Sequence, residues 1–201
     1  MEEILTKETA KKLMDIKGEI RGIVFKTDVT FILKEKGEEG LKKLEAEMER
    51  LGYPFKYNTI KTSEFYPIGL RIISLLLIKQ IFGFSEEKIE EMGFLAIKFS
   101  PLLRIITKLF LNFEKIFFSR GPELFKKIVR VGEIIPVIID TKKKEAIIRF
   151  KDLDLHPIYC RYLKGGLLGF FKVATGVQII TCQETKCTFQ GDEYHEFLLK
   201  W

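Results

Sequence analysis

The chain is most constrained by its end. Gln190-Gly191-Asp192 separates two runs, residues 177–189 and 193–201, and reads as the turn of an antiparallel hairpin. If Gly191 is the centre, Cys187 lies four residues before it and His195 four after. The two then face each other across the hairpin on one side of the sheet, with Cβ atoms about 4.5–5.5 Å apart. Upstream, His156-Pro157 opens a helix that carries Tyr159, Cys160, Tyr162, Leu163, Leu167, Phe170 and Phe171 and closes at Gly176. Gly165, Gly166 and Gly169 lie inside it, although a glycine costs a helix about 1 kcal/mol relative to alanine. Several together imply close packing against another backbone, or a break.

The rest of the chain alternates between β-like ends and a helical middle. Residues 1–17 have some helical spacing and read as a short amphipathic helix or a peripheral leader. Residues 20–33 are rich in β-branched and aromatic side chains and read as a strand, or a strand running into a helix. Residues 38–51 form an amphipathic helix through Leu41, Leu44, Met48 and Leu51, closed by Gly52. Residues 53–60 read as a short extended segment. Pro67 opens an apolar helix to Phe82, Ser85 caps another to about Phe99, Pro101 starts one to about Phe118, and Gly121-Pro122 starts one more. Residues 134–140 and 146–151 read as two strands around the turn Thr141–Lys144. The expected fold class is therefore α+β: a single domain over 1–201, a central helical block with antiparallel β-sheet, and a C-terminal helix followed by a β-hairpin.

Cys187 and His195 at hairpin distance can share one tetrahedral zinc ion, and Cys160, one turn into the preceding helix, supplies a third donor. The fourth donor is Glu184 or Cys182. Glu184 stands three residues before Cys187, so a regular strand points it to the other face; a bulge between them turns it inward, and Cys182 with it. The ordinary alternative is that buried thiols act as small apolar side chains. A Cys187–His195 catalytic dyad lacks any third orienting group. Glu64, Glu133, Asp152 and Asp154 are scattered acids with no acid–base pairing, and the glycines near 165 do not form a phosphate loop. No enzyme activity is expected.

Hydrophobic residues make up 46% of the 201 and charged residues 31%, which is a globular balance. The net charge of +6 comes from lysines interleaved with glutamates, so a nucleic-acid partner is not expected. Three cysteines leave one over in any disulfide framework. The most apolar stretch, residues 68–84, is broken by Arg71 and Lys79 and is too short for a membrane span. No signal peptide is evident at Met1-Glu2-Glu3, and the cytoplasm, where thiols persist, is the expected compartment.

The stretch from His156 to Trp201 resembles the 4-vinyl reductase-type small-molecule-binding domain, a relative of the heme nitric-oxide-binding and Golgi-transport ligand-binding domains. The carrying residues are Cys160, the glycines 165–169, Glu184, Cys187, Gly191-Asp192 and His195 before Phe197. The resemblance implies a structural zinc on Cys160, Glu184, Cys187 and His195, with histidine in a position where sensor members carry cysteine. It further implies an apolar pocket for a small molecule, placed here at Leu75, Ile97, Leu103, Phe110, Phe170 and Phe171, and a sensory role whose output passes to a protein partner. Two alternatives come with it. A tethering scaffold of the Golgi-transport type would be marked by a stable homodimer. A heme gas sensor would need a helical histidine and a Tyr-x-Ser-x-Arg element, which the chain does not contain.

Overall fold

Four strands form one antiparallel sheet because each places apolar side chains at alternate positions. They are β3 (Glu133–Asp140), β4 (Glu145–Lys151), β5 (Thr181–Lys186) and β6 (His195–Lys200), in the order β3-β4-β6-β5. β4 buries Ala146, Ile148 and Phe150, and β6 buries His195, Phe197 and Leu199, while the intervening residues face outward. β3 and β5 are the edges. Pro136, beside a register shift against β4, sits on an edge where its missing N–H is tolerated. A two-stranded ribbon elsewhere, three residue pairs long, joins β1 (Glu19–Arg21) to β2 (Phe65–Pro67).

The computed structural model describes residues 5–99 and 113–201. Its helices there are α1 (Lys7–Met14), α2 (Ile23–Arg50), α3 (Ile68–Phe82), α4 (Glu86–Phe99), α5 (Phe113–Lys126) and α6 (Pro157–Thr175). The α+β expectation is met, as is its arrangement of helical middle and β-rich end. α3 starts after Pro67 and ends on Gly83, whose φ of 61° supplies the left-handed cap. The Ser85 hydroxyl accepts from the Lys88 N–H at the start of α4. His156 caps α6 through its ring nitrogen, which accepts from the Ile158 N–H at 3.1 Å.

Several boundaries differ from the sequence reading. Only three residues near 20 form a strand; the segment then runs into α2, which continues past the expected helix start at 38. Val24, Val29 and Ile32 are β-formers by propensity, yet with Phe25 and Phe31 they are buried along α2. Gly37, at φ 64°, kinks this helix between its two halves. Gly121-Pro122 does not start a new helix. Pro122 lies inside α5, and the Phe118 carbonyl it leaves without an amide belongs to an exposed turn. The segment near 57 is a short 3₁₀ turn instead of extended chain. The first half of the helix expected at 101–118 lies outside the described residues.

The glycines of α6 are explained by a backbone-to-backbone contact with α4. A methyl group at Gly165 would lie 2.7 Å from the Glu90 carbonyl carbon and 2.9 Å from the Phe94 nitrogen; one at Gly169 would lie 2.6 Å from the Phe94 oxygen. Gly93 answers from the other side, against the Tyr162 carbonyl. Close packing, the first of the two sequence alternatives, is the reason for these residues.

On the outer face of the sheet, Arg149 of β4 pairs across the strands with Glu196 of β6, Nε to Oε2 at 2.7 Å, and the Thr185 hydroxyl donates to the other oxygen at 2.9 Å. Burial pushes the Glu196 carboxyl up, but these two bonds outweigh it and its pKa is lowered. The folded state therefore holds this proton more weakly than the unfolded chain, whose glutamate titrates near about 4.3. The stabilisation is present above that value and is lost as the pH falls through the folded pKa. Glu196→Gln is expected to cost about 0.5–1 kcal/mol near neutrality. In urea denaturation the gap from the unsubstituted chain should be open at about pH 7 and shrink as the pH falls below about 4.

Candidate functional site

Two neighbouring regions carry the polar chemistry, and α6 contributes to both. The first is the donor cluster. The ladder between β5 and β6 pairs Glu184 with Phe197 but Lys186 with Glu196, so one extra residue, Thr185, is accommodated between them. This bulge swings Glu184 onto the side of Cys187. Cys160 reaches the same point from the first turn of α6. Candidate donor atoms of Cys160, Glu184, Cys187 and His195 all lie within 4.8 Å of one another. The Cys160 sulfur is 3.6 Å from His195 Nδ1, which is 3.3 Å from Glu184 Oε1. The opposite ring nitrogen, Nε2, is held at 3.0 Å by the Thr188 hydroxyl. One imidazole nitrogen thus faces the donors while an oxygen fixes the other, the arrangement that orients a ligating histidine.

Cys182, the other candidate fourth donor, stands apart. It packs in the apolar core, where burial pushes its thiol up to about 12. Burial also pushes the Cys160 thiol up, reinforced by the Glu184 and Cys187 groups beside it, and Cys187 moves the same way. Neither is activated as a nucleophile, and the thiol in hydrogen-bond contact with the imidazole is Cys160. Cys160, Glu184 and Cys187 also border a second cavity, of about 360 Å³, together with Lys79, His156 and Arg161. The donors are not sealed on all sides.

The second region is an apolar cavity of about 480 Å³. Val24 and Thr27 of α2, Ala96 and Ile97 of α4, and Leu124 of α5 line parts of it, and Phe150 of β4 forms its sheet side. α6 gives it Tyr159, Tyr162, Gly166 and Phe170. Gly166 needs no side chain for packing, since a methyl there would meet no atom of the described residues within 4 Å. Of the pocket residues expected from sequence, Ile97 and Phe170 are on this wall. Leu75 and Phe171 are instead fully buried in the packed core, and Leu103 and Phe110 lie outside the described residues.

Behind the cavity lies a group that sequence reasoning read only as an interruption of an apolar helix. Arg71 of α3 is fully buried and paired with the buried Asp28 of α2. Its guanidinium stacks 4.2 Å from the Tyr162 ring, which stacks in turn on Tyr159 with centroids 6.0 Å apart. An arginine in an otherwise apolar helix demands a buried partner. That demand was the legible signal for Asp28.

No protein-family model and no curated protein matches the sequence. The fold, however, is that of H-NOX domains. An H-NOX protein from S. oneidensis in the Fe(II)NO ligation state superposes with a TM-score of 0.63 at 13% identity, covering 90% of this chain and 98% of the other. A mutant of the H-NOX domain from Shewanella oneidensis in the Fe(II)CO state gives 0.65 at 13% identity, covering 90% and 98%. A mutant T. Tengcongensis H-NOX gives 0.60 at 15%, covering 90% and 97%.

These neighbours overturn zinc as the cofactor expected of this chain. The proteins that share its fold are described by iron ligation states, and one by its heme redox potential, so the group that accompanies the fold is heme. The residues present do not fit a heme coordinated from the cavity wall. Heme iron takes His, Cys, Met or Tyr as axial ligand. The chain's two histidines are His156, which caps α6, and His195, which sits in the donor cluster. No histidine, cysteine or methionine lines the cavity among the described residues, and residues 100–112 contain none. Burial disfavours the tyrosinate form on the wall, pushing Tyr162 up to about 12 and raising Tyr159 as well.

Proposed function

We propose that the chain is a small-molecule-sensing domain of the 4-vinyl reductase-like kind, which binds an uncoordinated apolar ligand in the cavity between α2, α4, α5 and α6. The apolar cavity of about 480 Å³ carries this reading. It falls in the size range of small-molecule sites, and its wall is almost wholly hydrocarbon. Binding, and not catalysis, is the activity. Occupancy is passed on to a protein partner through α6, which forms both the cavity wall and one side of the donor cluster. Among the described residues no helix is long and apolar enough to cross a membrane.

The four clustered donors are proposed as a metal-binding set in their own right, on the strength of their convergence alone. Cys160→Ser and His195→Ala should both release whatever ion elemental analysis finds in the purified chain. An ion retained by both variants would remove these residues from the site.

Heme gas sensing is the second reading, favoured by the neighbours' fold. Spectroscopy separates the two. Natively purified protein, denatured in organic solvent, is expected to release an apolar small molecule in stoichiometric amount and to show no Soret band. A Soret band that survives desalting after incubation with hemin would replace the first reading by the second.

A further inference from the structure

We infer that the cavity selects a neutral molecule with an apolar body and one carbonyl-type oxygen, which accepts a hydrogen bond from Tyr159. The inference rests on the proposed cavity reading and specifies its ligand. Tyr159 lines the cavity and is 3% exposed. The Tyr159 hydroxyl has no hydrogen-bond partner among the described residues. A buried O–H in an apolar wall is costly to leave unmet, so the ligand that fits is one that meets it.

The chemistry of the surrounding groups sets the polarity of that ligand. Thr27, the other hydroxyl on the inner wall, spends its proton on the Val24 carbonyl at 2.7 Å, and its oxygen engages the Tyr162 hydroxyl, so neither is a free donor. Tyr159 therefore offers a proton and calls for an acceptor.

The acceptor is uncharged. Among the described residues, Arg71 is the one cation beneath the inner wall, and Asp28 already balances it. The charged described residues lining the cavity are Arg21 and Lys127. Arg21 donates to the Lys127 carbonyl at 3.3 Å, and Lys127 pairs with Glu123 in exposed surroundings at 3.1 Å. A carboxylate at Tyr159 would be desolvated with no cation of its own.

Three ligands of one shape test this: acetylnaphthalene, ethylnaphthalene and naphthoate, each substituted at the same ring position. Each is titrated by displacement of a neutral solvatochromic dye from the full chain and from the variant Tyr159→Phe, which keeps the ring. The ketone is expected to bind the unsubstituted chain roughly ten-fold more tightly than the hydrocarbon, the size of one good hydrogen bond. In the variant that advantage should vanish while hydrocarbon binding is unchanged. The ketone's carbonyl stretch should fall in frequency on binding the unsubstituted chain and not on binding the variant. Equal binding of ketone and hydrocarbon overturns the inference and leaves the cavity reading standing. So does an advantage that survives in the variant, or naphthoate as the tightest ligand. Failure of all three to bind overturns the cavity reading as well.

Discussion

Gly165→Ala is expected to destabilise the chain by about 3 kcal/mol, at the upper end of what overpacking costs. The neighbouring change Gly166→Ala should be neutral or stabilising by up to ~1 kcal/mol. The two glycines are adjacent in one helix, so propensity treats them alike. Their surroundings do not. The added methyl at position 165 points into the α4 backbone at Glu90 and Phe94, which has no rotamer by which to move aside. The only relief is to push α4 and α6 apart, and that loosens the core contacts the two helices share. At 166 the methyl enters open cavity space and restricts the unfolded chain. For a domain of this length 1 kcal/mol shifts the midpoint by about 2–4 °C. Thermal unfolding should therefore place Gly165→Ala roughly 6–12 °C below the unsubstituted protein and Gly166→Ala at or above it. Equal midpoints for the two variants would contradict the helix contact.

Asp28→Asn and Arg71→Met are each expected to cost about 3–5 kcal/mol, because each leaves one uncompensated polar or charged group in the core. The pair already carries a large desolvation penalty. Burial drives the Asp28 carboxyl up to about 6 against the opposing pull of Arg71. Asp28 Oδ1 and Arg71 Nε and Nη2 have no hydrogen-bond partner among the described residues. Removing both charges together removes the penalty with the attraction. The double variant Asp28→Leu/Arg71→Met should thus be far less destabilised than the sum of the single changes. Denaturant unfolding of the four proteins measures the coupling directly; additive losses would show that the two side chains do not act as a pair.

These two predictions mark where the sequence was legible and where it was not. The strands of the large sheet and α6 were readable because alternation, a proline start and a glycine stop are local signals. The bulge at Thr185 was foreseeable from the three-residue spacing of Glu184 and Cys187, since only a bulge places both on one face. The first half of α2 was not readable: its β-branched residues point to a strand, and burial against α3 and α4 overrides propensity. Cys182 and Glu184 have equal claims by spacing, since one bulge turns both inward, and only the packing of Cys182 into the core separates them. The cavity was least legible. Its wall comes from several elements far apart in the chain, and an apolar residue that lines a void looks the same in sequence as one that fills the core, as Phe170 and Phe171 show. Arg71 was visible but read as an interruption, because its partner lies forty-three residues earlier.

Filling the cavity tests its role most directly. Gly166→Leu places a side chain in the void without touching the α4 contact. The unsubstituted chain should bind a neutral solvatochromic dye at one site with a blue-shifted emission. The variant should keep its thermal midpoint and lose that binding. Undiminished binding in a folded Gly166→Leu protein, or no binding in the unsubstituted chain, would contradict the assignment of this cavity as the ligand site.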